Sequence, residues 1–456
     1  MKKIIIPVII SLVCLLAGIF CATMLPQAPT APAAILIEEK PAESVSYETV
    51  QPLITTALNC GDAGAAYRLL KDSQTQLKSG VLKAADFESI FLEAITHLGA
   101  LDQYVYYLDQ LCIEVNGNKY GAYVEEGQDP IGGGMGYSQI FTTGDYIVTN
   151  AEELYQAMRF AESGEVIFIP GGTVIDMTGH LYFRQIGYNV RPGVTLASDR
   201  GYVNPDGTVS TGALLRNTST MGTVFTLMEG ARITGLVLEG PTKENHIPHH
   251  TRAFSDPGYG SKYYYKSTYV RTNGIHVGGN NAQIDNCELA GFGHAAINVA
   301  REVKDLWVHH CYIHHNQAQG LGYGVAHGDS SESLVEYCLF NYNRHSIAAT
   351  GAGMTGYIAR FNVEMGESLG HCFDIHGGAD RGEASNHAGD YCEMYNNTFL
   401  AEDHPYWLRG VPSDYQLFYR NNCLYPYETY RKEKLEGENV EIYDNIFGLD
   451  EMILRP

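Results

Sequence analysis

One short phrase recurs seven times in the C-terminal part of this chain, and its spacing constrains the fold more than any other feature. VHHCYIHH, VEYCLFNY and YRNNCLYP each place Cys or Asn two residues before a large apolar residue. The steps between anchors are 24, 27, 24, 35, 25 and 23 residues, counted between Cys287, Cys311, Cys338, Asn362, Asn397, Asn422 and Asn445. Spacings of this length are typical of stacked repeat units. Each step therefore predicts one coil of a solenoid.

The composition of the phrases favours strands. They are rich in Val, Ile, Tyr and Phe and are interrupted by Gly, Asn and Asp, a pattern of strands and turns rather than helices. Parallel strands stack equivalent positions about 4.8 Å apart, so one residue type suits successive coils. We predict stacked buried thiols in preference to disulfides, and Asn side chains that bond the backbone of adjacent coils. Only the Asn362 phrase breaks the pattern, with Glu364 at the apolar position.

The same register extends towards the N-terminus. ITGLVLEG (233–240) matches IDNCELAG (284–291), and we place them two coils apart, with 243–270 as an inserted loop. VRPGVTLASDRG and VIFIPGGTVID predict further coils. NAEELYQAMRFAESGE (150–165) has an Asn cap, an acidic first turn and the apolar spacing of a short helix. This helix is expected to cap the open end of the stack.

These segments resemble the pectin-lyase-like superfamily of right-handed parallel β-helices. NAEELYQAMRFAESGEVIFIPGGTVID is similar to the N-terminal segment of that fold, and NGIHVGGNNAQIDNCELAGFG to its carbohydrate-binding and sugar-hydrolase type of coil. The resemblance covers roughly 146–456 and implies an all-β domain. It does not specify a reaction, because the superfamily includes polysaccharide lyases, glycoside hydrolases, epimerases and surface proteins without chemistry.

The N-terminal part predicts export. Residues 4–25 are uncharged and long enough to cross a bilayer, and Lys2 and Lys3 precede them. We predict a single-pass anchor with an extracellular C-terminal domain, or alternatively a signal peptide cleaved after 31–33, giving a secreted protein. Three further segments are expected before the β-helix of 146–456: a Pro/Ala-rich linker at 26–45, a small helical region at 46–115 and a Gly-rich linker at 116–145.

The charge balance limits the partners. A net charge of −22 without a basic run argues against nucleic acid. It also disfavours polyanionic substrates unless cations are clustered locally. We therefore expect a glycan partner that is bound at a local group of basic side chains.

A second strand of each coil carries the residues suited to chemistry. Aligning GHAAINVA, GYGVAHGD, RHSIAATG, GHCFDIHG and PYWLRGVP brings five residues to one outward position, namely His294, Tyr323, His345, His371 and Tyr406. A later outward position holds Ala326, Ala348, Asp374 and Arg409, and His376 lies two residues beyond Asp374. Imidazoles are bases near neutral pH, a phenol is a proton donor and a guanidinium grips carboxylates.

This face predicts the site residues. The predicted catalytic residues are His345, His371, Asp374, His376, Arg409, Tyr323 and Tyr406. The predicted substrate-binding residues are Tyr263, Tyr264, Tyr265, His294, His327 and Arg344. The three tyrosines belong to the inserted loop and could stack on sugar rings.

A metal is the alternative use of the same side chains. His345, His371, Asp374 and His376 offer imidazole and carboxylate ligands, but their spacing matches no strong metal motif. We predict no cofactor.

The leading hypothesis is a membrane-tethered polysaccharide lyase that acts by β-elimination on a uronate-containing glycan. Arg409 would neutralise the uronate, His345 or His371 would take the C5 proton, and Tyr406 or Tyr323 would protonate the leaving oxygen. A glycoside hydrolase, which needs two carboxylates, and a C5-epimerase are alternatives on the same scaffold. A non-catalytic glycan-binding or cell-envelope protein is the alternative from another class.

Overall fold

The computed structural model describes residues 111–125, 127–219, 221–241, 271–318, 320–365, 367–401, 403–423, 425 and 439–448. The predicted membrane segment, the Pro/Ala-rich linker, most of the predicted helical region and nearly all of the inserted loop lie outside these residues. Within the part that is described, no helix is long and apolar enough to cross a membrane.

Three parallel sheets of 11, 10 and 8 strands run along the described part of the chain, and each complete coil contributes one strand to each sheet in turn. The first sheet contains Tyr146–Ile147, Val166–Phe168, Thr195–Ala197, Arg232–Thr234, Gln283–Asp285, Leu306–His309, Glu332–Glu336, Gly356–Arg360, Tyr391–Tyr395, Tyr415–Tyr419 and Val440–Tyr443. The second contains Val174–Asp176, Ala213–Arg216, Leu236–Glu239, Glu288–Ala290, Tyr312–Asn316, Leu339–Asn343, Val363–Glu364, Thr398–Phe399, Asn422–Cys423 and Ile446–Phe447. The third contains Tyr188–Val190, Met221–Leu227, Arg271–Val277, Ala295–Val299, Tyr323–His327, His345–Ala349, Phe373–Ile375 and Tyr406–Leu408. The all-β parallel β-helix is confirmed.

The predicted capping helix is also confirmed. It spans Ala151–Phe160, and the Asn150 side chain accepts from the backbone N–H of Glu153. Its buried face, formed by Leu154, Ala157 and Met158, joins the apolar core that fills the solenoid. A single π-helical turn, Gly179–Phe183, follows in the first coil.

Each coil turns from the first sheet to the second at a sharp corner. In the last seven coils the corner residue has φ between 50° and 55°, at Asn286, His310, Tyr337, Phe361, Asn396, Arg420 and Asp444. The next residue in each coil points inward and is one of the repeat anchors. The sixth anchor is Asn421 rather than Asn422, because Thr398 pairs with Asn422 and Asn397 lies one residue earlier. The corrected steps on either side of Asn421 are both 24 residues.

The anchors are linked along the solenoid axis. Asn397 Oδ1 accepts from the backbone N–H and the side-chain Nδ2 of Asn362, at 3.0 Å each. Asn397 in turn donates to Asn421 Oδ1 and, from Nδ2, to the carbonyl of Ala359 at 2.9 Å. Asn445 continues the pattern. In these later coils, buried Asn side chains occupy the position that Cys287, Cys311 and Cys338 occupy in earlier coils. These three cysteines are buried free thiols, as predicted.

The predicted spacing between the matching segments 233–240 and 284–291 was wrong. Ile233 pairs directly with Ile284, so the two matching segments lie in adjacent coils rather than two coils apart. The insertion therefore belongs to one coil, between the strands Leu236–Glu239 and Arg271–Val277.

Residues 111–125 and 127–138, which precede the first coil and include most of the Gly-rich stretch, pack against the corners of the solenoid; we call this segment the strap. Cys112–Val115 and Asn118–Gly121 form an antiparallel hairpin, so the end of the predicted helical region is a strand. Gly121 N–H then donates to Arg420 O in a late coil, and Gly132 N–H to Tyr337 O. The Tyr137 hydroxyl donates to Asp285 Oδ2 at 2.8 Å in an earlier coil. The chain thus runs back along the corners from late coils to the first.

The glycines of the strap permit this close approach. Gly133 has φ +68°, and a Cβ there would lie 2.3 Å from the His310 carbonyl oxygen and 2.6 Å from Asn286 Oδ1. A residue with a side chain would clash with the corner backbone.

A carboxyl group interrupts the apolar core. Glu364 pairs with Phe340 and Phe399 in a column of inward-facing residues and is 1% exposed. Among the described residues its oxygens make no close hydrogen bond, and the Ser346 hydroxyl offsets only part of the effect of burial on its pKa. Burial raises the pKa of Glu364 to about 8, so the group is neutral in the fold at neutral pH.

Replacing the central ladder amide should destabilise the protein. Asn397→Ala leaves the Asn362 N–H and the Ala359 carbonyl buried without partners, which we expect to lower the free energy of unfolding by roughly 2–4 kcal/mol. Urea unfolding of this variant measures the loss, with Asn204→Ala in a surface turn as the matched control. Equal stability of the two variants would contradict a structural role for the ladder.

Replacing the buried carboxyl should change the pH dependence of stability. Unfolded Glu364 ionises near its ordinary value of 4.5, whereas the folded group holds its proton to about pH 8. Its stabilising contribution is therefore complete below pH 4.5 and is lost as pH rises through 8. The Glu364→Gln variant should therefore become more stable than the wild type as pH rises through this range. The difference in the free energy of unfolding should reach on the order of 4 kcal/mol near pH 8. Denaturant unfolding from pH 4.5 to 8.5 tests this, and the exposed Glu441→Gln should show no such gain.

Candidate active site

The outward face of the third sheet holds the predicted site in its central coils. Tyr323 pairs with His345, and Ala326, Ala348 and Asp374 follow one another in a second column. The His345 and His371 rings stack with centroids 3.9 Å apart and planes 16° apart. The sequence alignment is therefore correct for these three coils.

The alignment is wrong by one residue at its N-terminal end and by two residues at its C-terminal end. Ala295, not His294, pairs with Tyr323. Tyr406 pairs with Phe373 and Trp407 pairs with Asp374. Phe373 is an inward-facing core residue, so Tyr406 points into the core as well.

Asp374 organises the site. Its side chain is fully buried, and Oδ2 lies 2.9 Å from His376 Nε2, 3.2 Å from His371 Nε2 and 3.2 Å from Arg409 Nη2. Since a carboxylate only accepts, each of these nitrogens carries the hydrogen. Asp374 thereby fixes the orientation of two imidazoles and one guanidinium.

The remaining contacts extend the site outward. Arg409 also lies 3.3 Å from Asp380 Oδ2, on the loop after the third-sheet strand. The Trp407 ring stacks on His371 at 5.5 Å. His376 is the more exposed of the two imidazoles bound to Asp374, with 29% of its side chain accessible against 12% for His371.

The His345 ring is oriented by a hydrogen bond to the adjacent coil. Its Nδ1 lies 2.6 Å from the His371 carbonyl oxygen, so Nδ1 donates and Nε2 carries the lone pair. Nε2 is buried and has no hydrogen-bond partner among the described residues. On the other side His345 stacks with Tyr323, whose hydroxyl accepts from Arg344 Nη1 at 3.2 Å.

Burial and the buried anion set the protonation states. Burial lowers the pKa of His345 well below its ordinary value, and His371 and Arg344 lower it further. Burial also lowers the pKa of His371, with Asp374 opposing. Burial alone would raise the pKa of Asp374, but His371 and His376 outweigh it and hold this pKa well below its usual range. The site therefore contains an ionised carboxylate beside two stacked histidines, His345 and His371, that are neutral at neutral pH, rather than a histidine pair that titrates there.

The structure separates some predicted residues from this cluster. Tyr406 is 1% exposed and stacks on Phe418 in the core. His327 is 3% exposed, and its ring nitrogens bond the Ala348 carbonyl and the Ser333 hydroxyl. Both predictions were wrong because these side chains point inward. His294 is half-buried on the same face and bonds Asn273 Oδ1 at 2.8 Å. Tyr263, Tyr264 and Tyr265 lie outside the described residues.

Two residues of the site were missed as members of it. Trp407 was hidden by the two-residue slip, although it is one of only two tryptophans in the chain. Asp380 follows Asp374 by six residues on a Gly-rich loop, and sequence spacing alone gives no reason for it to return to Arg409.

A metal ion does not fit this geometry well. Ligand atoms of His345, His371 and Asp374 lie within 4.8 Å of one another. However, an imidazole binds an ion in its ring plane at about 2.0–2.1 Å, and two rings stacked face to face do not direct their lone pairs to one point. Asp374 Oδ2 is also occupied by three donors. The arrangement suits a hydrogen-bonded cluster better than a metal centre.

Comparison with known proteins supports the fold. Residues 264–399 match the family model described as a right handed beta helix region. The match covers less than half of the chain, and it agrees with the parallel β-helix that the three sheets form. No curated protein matches the chain.

Two solved structures are similar to this chain at low identity. The alginate lyase from Paenibacillus sp. str. FPU-7 is 14% identical with a TM-score of 0.36, over 66% of this chain and 94% of that one. ORF18 of Geobacillus virus E2 is 10% identical with a TM-score of 0.33, over 62% of this chain. The match spans 50% of the length of that viral protein.

Removing the buried anion should shift the histidines in a defined direction. Asp374 raises the pKa of His371 against the effect of burial, so Asp374→Asn should lower the His371 pKa further. Side-chain NMR titration of labelled histidines measures this shift, and the His345 resonances should report the Nδ1–H tautomer in both proteins. A His371 pKa that rises or stays constant would contradict the geometry described above. Histidines remote from the third sheet serve as internal controls.

Proposed function

We propose that the protein is a polysaccharide lyase that cleaves a uronate-containing glycan by β-elimination. The observation that carries the proposal is the shared oxygen of Asp374, which holds two imidazoles and a guanidinium on one accessible face. In this reaction a base removes the C5 proton, the electron pair forms the C4–C5 double bond, and the C4 oxygen leaves with a proton. The substrate carboxylate must be neutralised for the C5 proton to become acidic.

Arg409 is suited to neutralise that carboxylate. Its guanidinium already lies between two carboxylates, at 3.2 Å from Asp374 and 3.3 Å from Asp380. Of the two carboxylates, Asp380 is the more exposed, with 34% of its side chain accessible against 0% for Asp374. A uronate would displace Asp380 while Asp374 keeps the guanidinium in place.

His376 is the best-placed base. Its Nε2–H donates to Asp374, so its Nδ1 carries the lone pair, and its side chain is partly exposed. His371 has the same partner but is enclosed between His345 and Trp407. The buried Nε2 of His345 makes that residue a positioning group rather than the base.

Tyr323 remains the candidate proton donor. It lies two coils from Asp374, roughly 10 Å along the axis, and its hydroxyl is oriented by Arg344. A sugar ring placed between Arg409 and Tyr323 would have its leaving oxygen near the phenol.

The geometry disfavours a hydrolase. Asp374 is fully buried and its pKa is held well below its usual range, so it cannot donate a proton near neutral pH and is enclosed by cationic and imidazole groups. A retaining or inverting mechanism needs two accessible carboxyl groups. Asp380 is the only accessible carboxylate that contacts the cluster through the described residues.

A panel of polyuronates tests the proposal. The purified protein should release unsaturated products that absorb in the ultraviolet from at least one of them. His376→Ala and Asp374→Asn should each reduce turnover roughly 100-fold or more, with the fold intact by circular dichroism. His180→Ala, in the first coil, is the matched control and should retain full activity.

Three results would count against it. Absence of ultraviolet absorbance with every polyuronate would remove the lyase function. Binding without turnover would favour a non-catalytic glycan-binding protein, and inverted C5 stereochemistry without cleavage would favour an epimerase.

A further inference from the structure

A second polar group lies on the same face of the third sheet, towards the N-terminal coils. His276 follows Thr226 and precedes Asn298 in the column that later contains Ala326, Ala348 and Asp374. Its side chain and that of Asn298 are half-buried and face outward. The lyase chemistry proposed above does not use them.

The hydrogen bonds of this group fix what it can bind. Asn298 Nδ2 donates to His276 Nδ1 at 2.9 Å, so the neutral imidazole carries its hydrogen on Nε2. Burial lowers the pKa of His276, which favours this neutral form. The pair therefore presents an imidazole N–H donor beside an amide carbonyl acceptor, without a charge. Hydroxyl groups match such a pair, whereas a carboxylate would gain little from it.

Small residues separate this group from the catalytic cluster. Between Asn298 and Asp374 the column contains only Ala326 and Ala348, and the neighbouring outward positions of these coils include Gly328. Asn298 lies three coils from Asp374, roughly 14 Å, and His276 lies four coils away, roughly 19 Å. Among the described residues, this column therefore forms a floor with no large side chain between the two polar groups, and Tyr323 and His345 flank it in the neighbouring outward column.

We infer that His276 and Asn298 form a distal subsite for the hydroxyl groups of a glycan chain that lies along the solenoid axis over Ala326 and Ala348. A sugar residue in an extended chain advances by about the same distance as one coil, so a chain of several residues reaches both ends. This inference rests on the proposed glycan substrate but not on its cleavage.

Calorimetric binding of oligosaccharides of two lengths tests the subsite. Dimers reach only one end of the floor, whereas hexamers span it. Two series are used, one of uronates and one of neutral sugars. His276→Ala and Asn298→Ala should weaken hexamer binding roughly tenfold, as expected for lost hydrogen bonds, and leave dimers of uronate unchanged. Asn204→Ala, in a surface turn, is the control.

A blocking variant tests the floor independently. Ala326→Trp keeps both polar groups but fills the space between them, so hexamer affinity should fall at least as far while dimer affinity is retained. Unchanged hexamer affinity in His276→Ala, or equal losses for both lengths, would overturn the subsite.

The outcomes separate this inference from the lyase function. Cleavage without any effect of His276→Ala on hexamer binding leaves the lyase and removes the subsite. Hexamer binding that depends on His276 without cleavage leaves the subsite and removes the lyase. Binding of neither series overturns both.

Discussion

The corner between the first and second sheets is the constraint on which the rest of the structure depends. In the last seven coils a left-handed residue turns the chain at the corner, and the next side chain points inward to meet its counterpart in the adjacent coil. This contact fixes the register of these coils against one another. Because all three sheets share that register, it also brings His345 over His371 with 3.9 Å between ring centroids. A site formed from residues 26 positions apart is thus set by a contact on another edge of the solenoid.

Within the site, the dominant interaction is that of one buried charge with its three donors. A buried carboxylate without partners costs several kcal/mol, so Asp374 and its neighbours stabilise one another. The same interaction orients the groups that face outward, His376 and Arg409. Because stability and orientation depend on the same contacts, we expect Asp374→Asn to lower the free energy of unfolding together with the proposed turnover, in a variant that still folds.

Much of this arrangement follows from the sequence because a solenoid repeats. The period predicts the coils, and alternation along a strand predicts the outward face in the three central coils. The errors lie where a coil changes length. The loop between His376 and Asp390 separates the coils of Asp374 and Trp407, and nothing in the sequence indicates how many residues it absorbs. A two-residue error in the alignment of this coil was enough to place Tyr406 on the outward face and to hide Trp407. The strap presents a different difficulty: glycine is frequent both in flexible linkers and where backbones touch, as at Gly133, and composition does not distinguish the two.

The proposed reaction at the cluster around Asp374 breaks a glycan bond by elimination and not by adding water. Mass spectrometry of the products formed from a polyuronate in oxygen-18-labelled water separates the two reactions. Elimination predicts unsaturated fragments that are lighter than the hydrolysis product by one water and do not carry the label. Saturated fragments that carry the label at the new reducing end would contradict it.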